Sequence, residues 1–303
     1  MIEPRRMGEA MGRWPQTVQC SVLIVFSGIL MTAQLAIVRH VAHEVNVFEI
    51  VFFRGVFGVL AISPTMVRAN RAWMRPNRPR LLALTGTLAF LATVGFYFAA
   101  KHLPIADITA IHFSRPLFAA LVAAAVLGET LRGGRTVAIV AGVVGAAIVI
   151  RPGMVALNVG VLYVLGVVAV QSWNPINRKL LSRSEHPDTV AIWITLIILP
   201  LSMVVVPFVW TTPSPGLLAW MAAVGTLEAI NQRVLSRAYV HGDAVFVVAL
   251  HYTRLPIAAL VGFVVFAEFP DIWTWTGGAV IAGAALYLAH RETTARRAKA
   301  AGS

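Results

Sequence analysis

His112-Phe113-Ser114-Arg115 and His251-Tyr252-Thr253-Arg254 each stand in the middle of a long apolar stretch, and 139 residues separate equivalent positions. An arginine at the centre of a membrane span costs about 2.5 to 3.5 kcal/mol to insert on biological scales, so a span that keeps one has a use for fixed positive charge inside the membrane. A guanidinium presents paired N–H donors that match a carboxylate. Residues three apart share a helix face, which sets each histidine beside its arginine. The chemistry open to Arg115 and Arg254 together is therefore capture of an organic anion at mid-membrane. The histidines are open to two readings, a proton carrier near neutral pH or a hydrogen-bonding group. One alternative for the arginines is a structural ion pair with Glu228, Glu49, Asp107 or Asp243.

Proline follows each tetrad, as Pro116 and Pro256. A mid-helix proline removes one hydrogen bond and frees the carbonyl four residues earlier, which makes the carbonyls of His112 and Tyr252 further candidates at the site. Glu228, followed by Asn231, Gln232 and Arg233, gives its stretch a polar face and suits either a proton, a substrate ammonium group or an ion pair with Arg254 or Arg115. The polar run Gln171-Ser172-Trp173-Asn174-Pro175-Ile176-Asn177 sets Trp173 and Asn177 four apart on one face, an aromatic and an amide suited to an amphipathic solute. Trp173 fits an interfacial aromatic belt equally well. Gln34 and Tyr97 are secondary pocket candidates, and Asp107 and Asp243, at the starts of apolar runs, read as helix caps.

The elements that must carry these groups follow from composition. With 58% hydrophobic residues, 13% charged residues and a mean hydropathy of +0.77, the chain has too little polar surface for a soluble globule. Ten apolar segments span about 18–38, 47–66, 81–100, 106–127, 136–151, 156–177, 189–209, 216–236, 244–266 and 272–289, most near the ~20 residues a helix needs to cross a bilayer. A net charge of +12 would suggest nucleic acid in a soluble protein. Here the basic residues alternate by loop: Arg5, Arg6, Arg13, the 68–80 arginines, Arg132, Arg135, Arg178, Lys179, Arg183, Arg237 and the 291–299 cluster fall on one side, with only Arg39, Lys101 and Arg151 on the other. The positive-inside rule then puts both termini in the cytoplasm and leaves no need for a nucleic-acid partner. The first apolar segment reads as a retained span rather than a cleaved leader. A single cysteine, Cys20, excludes an internal disulfide, and His40 and His43 have no evident third ligand, so no metal is expected.

Carried along the chain, the 139-residue offset pairs His112 with His251, Ser114 with Thr253, Arg115 with Arg254 and Glu129 with Glu268. Five spans lie between equivalent points, so the two halves enter the membrane from opposite sides. The fold class this predicts is an all-α integral membrane protein with ten transmembrane helices in a 5+5 inverted repeat. Its organisation is a cytoplasmic tail over 1–17, one five-helix repeat over 18–151, a second over 156–290 and a basic cytoplasmic tail over 291–303.

Leu127-Gly128-Glu129-Thr130-Leu131, followed by the glycine-spaced segment through Gly142 and Gly145, resembles the repeat signature of the EamA family of the drug/metabolite transporter superfamily. Phe266-Ala267-Glu268-Phe269 with Trp275-Thr276-Gly277-Gly278 is similar but lacks the glycine before the glutamate, and Phe52-Phe53-Arg54-Gly55 resembles the family's second-span arginine pattern. The resemblance implies a ten-helix inverted bundle that moves small organic solutes, in many members outward. The His-x-x-Arg pairs are not part of that pattern and rest on the physical argument alone.

No Walker loop, HExxH or G-x-S-x-G motif is present, so the expectation is a transporter rather than an enzyme, driven by a gradient or by exchange, with no cofactor. The expected role is export of a small carboxylate-bearing or zwitterionic metabolite across a bacterial inner membrane by alternating access. Import of a nucleoside-like or vitamin-like compound is the alternative, and an intramembrane lipid-modifying enzyme is the reading from another class. The expected partners are the small-molecule substrate and membrane lipids, with the chain a monomer or homodimer.

Overall fold

The structure, a computed structural model, describes residues 16–68, 76–127, 134–151, 158–173, 177, 180–181, 184–185, 187–241 and 250–301. These residues form α1 (Gln16–Val41), α2 (Val47–Arg68), α3 (Pro79–His102), α4 (Ile105–His112), α5 (Arg115–Leu127), α6 (Gly134–Ile150), α7 (Val159–Gln171), α8 (Pro187–Val209), α9 (Pro215–His241), α10 (Arg254–Phe266) and α11 (Ile272–Ala301). No strand occurs among the described residues.

Local chemistry accounts for several boundaries. The Phe48 N–H donates to Asn46 Oδ1 at 3.0 Å to start α2, and the Gly160 N–H donates to Asn158 Oδ1 at 2.8 Å to start α7. The Thr274 N–H donates to Asp271 Oδ1 at 2.9 Å and opens α11. Each side chain takes an amide proton that the first helical turn leaves without an intrahelical partner. Pro79 occupies the first turn of α3, where its missing N–H has no consequence. Asp107, expected to cap α4, instead accepts at 2.6 Å from the Thr274 hydroxyl, and Pro104 precedes α4 without a side-chain cap. Its carboxylate thus joins α4 to α11. Asp243 lies outside the described residues.

Among the described residues the helices follow the expected apolar segments, but the ninth turns at Tyr252 and Thr253 before α10, α11 runs past 289 to Ala301, and two further segments are interrupted. The fourth segment is divided between α4 and α5 at Phe113 and Ser114, and the sixth leaves regular helix after Gln171. Among the described residues, Val18–Val41, Pro79–His102, Ile105–Val122 and Thr189–Val209 are both long and apolar enough to cross a membrane, while Thr136–Ile150, Val159–Gln171, Arg254–Phe266 and Ile272–Leu288 are shorter apolar helices. The outward faces are apolar, with Phe208 86% and Val264 70% exposed, as a lipid-facing surface requires.

One buried cluster, including Ile50, Ile105, Ile108, Ile111, Leu117, Val164 and Ile281, runs through the bundle. α1 packs on α9, α3 on α7, α2 on α8 and α6 on α11, and α10 lies against α1 and α4. α6 and α11 approach backbone to backbone: a Cβ on Gly145 would meet the Gly277 carbonyl at 2.9 Å, and one on Gly277 would meet the Gly145 carbonyl at 2.6 Å. These glycines therefore serve internal packing, which needs a residue with no side chain on each helix.

Candidate substrate-binding cavity

The two tetrads share one local geometry. After His112 the chain takes a short turn in which the Phe113 N–H reaches the Thr109 and Ala110 carbonyls and the Ser114 N–H donates to Ile111 O at 3.0 Å; helix resumes at Arg115. Around the second tetrad the Thr253 N–H donates to Leu250 O at 3.1 Å and helix resumes at Arg254. The hydroxyls repeat the pattern, Ser114 Oγ donating to Ile111 O at 2.7 Å and Thr253 Oγ1 to Leu250 O at 2.6 Å. The Tyr252 carbonyl, expected to be freed by Pro256, accepts from the Leu255 N–H at 3.2 Å. An i−3 pattern tightens the helix where the proline cannot sustain the regular ladder.

These breaks meet. His112, Phe113, Arg115 and Pro116 line the same cavity as His251, Tyr252 and Arg254, with Met31, Thr32 and Leu35 of α1, Phe96 of α3 and Thr109 of α4 completing the wall. Its empty volume, including the part open to the surroundings, is about 720 Å³. Phe113 and Tyr252, themselves 139 residues apart, stack edge to face at 4.6 Å between ring centres, and Phe96 packs edge-on against His112 at 4.8 Å.

The arginines are held differently. Arg115 Nη1 donates to Gln171 Oε1 at 3.2 Å, and His112 Nε2 lies 3.0 Å from the same oxygen. Arg254 Nη2 donates to Ser27 Oγ at 3.1 Å, and that hydroxyl donates to Asn231 Oδ1 at 2.6 Å. Arg254 Nη1 lies 3.2 Å from the Met31 sulfur. The Tyr252 hydroxyl is buried with no hydrogen-bond partner among the described residues. A buried polar atom in that condition costs stability unless something else uses it. Gln171 stood in the polar run singled out from sequence, but Trp173 and Asn177 drew attention as the aromatic and amide pair. The signal for Gln171 was its position as the last polar group within the apolar helix.

Three expected site residues lie elsewhere. Glu228 is absent from the cavity wall and pairs with Arg54 Nη2 at 3.0 Å, not with Arg115 or Arg254, while Gln232 Nε2 donates to it at 2.9 Å. Arg54 also donates to Thr93 Oγ1 at 3.0 Å and sits 5.9 Å from the Tyr97 ring centre, and Gln34 donates to the Tyr97 hydroxyl at 3.1 Å. Arg54, Glu228, Tyr97 and Gln34 thus form a second polar network joining α1, α2, α3 and α9. Trp173 is 42% exposed and Asn177 is buried, and neither lines the cavity. The Glu129 motif lies outside the described residues. Among the described residues no cluster of His, Cys, Asp or Glu could hold a metal ion.

An apolar helical bundle with a polar cavity between broken helices is the arrangement of a membrane transporter, and the similar proteins agree. The chain is 26% identical over 262 residues to an S-adenosylmethionine uptake transporter of Rickettsia felis, covering 86% of this chain and 89% of that protein. It is 27% identical to a riboflavin transporter of Brucella anthropi (82% and 89%) and 26% identical to a pseudopaline exporter of Pseudomonas aeruginosa (89% and 96%). A solved crystal structure at 19% identity superposes with a TM-score of 0.61 over 89% of this chain and 98% of its own, which supports the fold. Residues 19–151 match the model of the EamA-like transporter family, and these similarities are to membrane transporters rather than to enzymes.

Proposed function

We propose that this protein is a secondary transporter that moves a small carboxylate-bearing metabolite out across a bacterial inner membrane, its two halves, 18–151 and 156–290, rocking about the shared cavity as an inverted repeat. Helix bounds support the duplication: α5 and α10 have the same length and begin 139 residues apart. The packing also maps onto itself when the halves are exchanged, α1 on α9 answering α7 on α3, and α2 on α9 answering α8 on α3. Binding sites near the midplane, where discontinuous helices meet, are the common arrangement in such folds.

The observation that carries the substrate class is the convergence of Arg115 and Arg254 on one cavity whose described lining includes no acidic residue. In a low-dielectric site two guanidinium groups favour an anion strongly over a cation. Glu228, the candidate for meeting an amine, is engaged by Arg54, so a carboxylate is better served here than a full zwitterion. Phe96, Phe113 and Tyr252 supply apolar surface for the rest of the solute.

Import is the second reading, favoured by the uptake transporters among the relatives. Metabolite profiles of cells and medium from a deletion strain and an overexpressing strain separate the two. Export predicts a carboxylate trapped inside the deletion strain and enriched outside on overexpression; import predicts the reverse. Reconstituted Arg115→Gln and Arg254→Gln should each lose on the order of a hundredfold in uptake of that compound into proteoliposomes. Normal transport by both variants would refute the site.

A further inference from the structure

Arg39, four residues beyond the cavity-lining Leu35 on α1, reaches both the junction of α3 and α4 and the end of α10. It stands near the end of α1, its guanidinium makes a paired contact with the Glu268 carboxylate just past α10, including Nη1 to Oε2 at 2.7 Å, and Nη1 donates to the Leu103 carbonyl at 3.1 Å just before α4. The same group lies over the Phe266 ring, 4.8 Å from its centre. α1, α4 and α10 all contribute to the cavity wall, so one side chain ties the three together at a single end of the bundle.

The neighbouring polar contacts at that end are of another kind. Arg151 pairs with Asp271 at 2.7 Å and Thr274 with Asp107 at 2.6 Å, joining α6, α11 and α4, and α6 and α11 are locked by the Gly145–Gly277 contact. Arg39–Glu268 instead joins α1 to the end of α10, two helices that pack on each other and both line the cavity. Glu268 is presented by an unusual turn: Ala267 adopts a left-handed conformation with φ 55°, and the Ala267 and Glu268 N–H groups reach back to Phe263 O and Gly262 O. In the sequence, the 139-residue offset relates Arg39 to Arg178 and Glu129 to Glu268, so the same two charge types recur as a pair, although Arg178 and Glu129 lie outside the described residues.

We infer that Arg39–Glu268 is a gate: an ion pair that closes this end of the cavity by joining α1, α4 and α10, and that must part for solute to pass at that end. This gives the glutamate of the second repeat motif a function. The inference rests on the alternating-access reading but not on the identity of the substrate. A charge-assisted, two-point contact suits a gate because it is strong when dry and readily exchanged for water when its walls separate.

The test uses access rather than transport. In a Cys20→Ser background, Thr109→Cys places one thiol on the cavity wall, and a membrane-impermeant maleimide is applied to right-side-out and inverted vesicles. Labelling should be slow from the membrane face on which Arg39 lies. Arg39→Gln and Glu268→Gln should each raise the rate from that face on the order of tenfold while leaving the rate from the other face near its parent value. The charge exchange Arg39→Glu/Glu268→Arg should restore protection. Unchanged labelling in both single variants overturns the gate, and so does an exchange variant that remains as open as they are. Because no solute is used, failure of the carboxylate assignment would not affect the result.

Discussion

Removing the charge from Glu228 separates a structural strut from a working carboxylate. Glu228 and Arg54 are 3.0 Å apart with side chains 23% and 13% exposed, so both charges are largely withdrawn from water. Breaking such a pair by deleting one partner costs about 3–5 kcal/mol when burial is complete. Here the partial exposure and the contacts Arg54 keeps with Thr93 and Tyr97 reduce the expected cost of Glu228→Gln to about 2–3 kcal/mol. Replacing both partners by apolar residues, Arg54→Met with Glu228→Leu, should cost about 1 kcal/mol or less, because no charge is left stranded. Cys20, fully buried and the sole cysteine, is a built-in reporter: a thiol-reactive fluorophore added to detergent-solubilised protein signals unfolding as temperature rises. Using the scaling of large soluble domains, Glu228→Gln should lower the midpoint by about 4–8 °C and the double variant by much less. A double variant that melts as low as the two single losses summed would refute the coupling. A Glu228→Gln protein that melts normally yet no longer transports would make Glu228 a substrate or proton group after all.

Tyr252→Phe removes a buried hydroxyl with no partner among the described residues, so the melting temperature should hold or rise while the apparent Kd for the transported carboxylate weakens by about tenfold; unchanged affinity would exclude the hydroxyl from the site. Ala267→Gly should stabilise the protein by about 0.5–1 kcal/mol in the same melt, the left-handed strain relieved being partly offset by the greater freedom of glycine in the unfolded chain, and a lower midpoint would count against the turn. Gln171→Leu should depress transport by on the order of tenfold or more, since one oxygen serves both His112 and Arg115, and Gln171→Glu should depress it further because a fixed carboxylate beside Arg115 would compete with the substrate anion; normal transport by Gln171→Glu would count against Arg115 as the anion site.

Much of the candidate cavity was legible because charge in an apolar stretch is conspicuous. Arg115 and Arg254, with His112, His251 and Tyr252, were marked by type and spacing, and the structure brings all five to one cavity. Glu228 was equally conspicuous, yet its partner was not readable: three other arginines in apolar stretches competed for it, and the choice of Arg54 depends on α2 packing against α9. Trp173 and Asn177 were chosen by a helical spacing, and the Asn177 N–H does donate to the Trp173 carbonyl at 3.1 Å, but α7 ends at Gln171 and neither side chain lines the cavity.

The chain by itself determined the membrane class, the places of most described helices and the charges that stand within apolar segments, because hydropathy and the cost of burying charge act residue by residue along the chain. Ala267 before Glu268 was also visible there, but not the left-handed backbone that makes Ala267 matter. Partnerships between distant residues were decided only by tertiary packing: Arg54 with Glu228, Arg39 with Glu268, Gln171 between His112 and Arg115, and Ser27 with Arg254. A buried hydrogen bond or ion pair depends on distance and direction at the scale of an ångström, and those are set by helix crossings that no local pattern encodes.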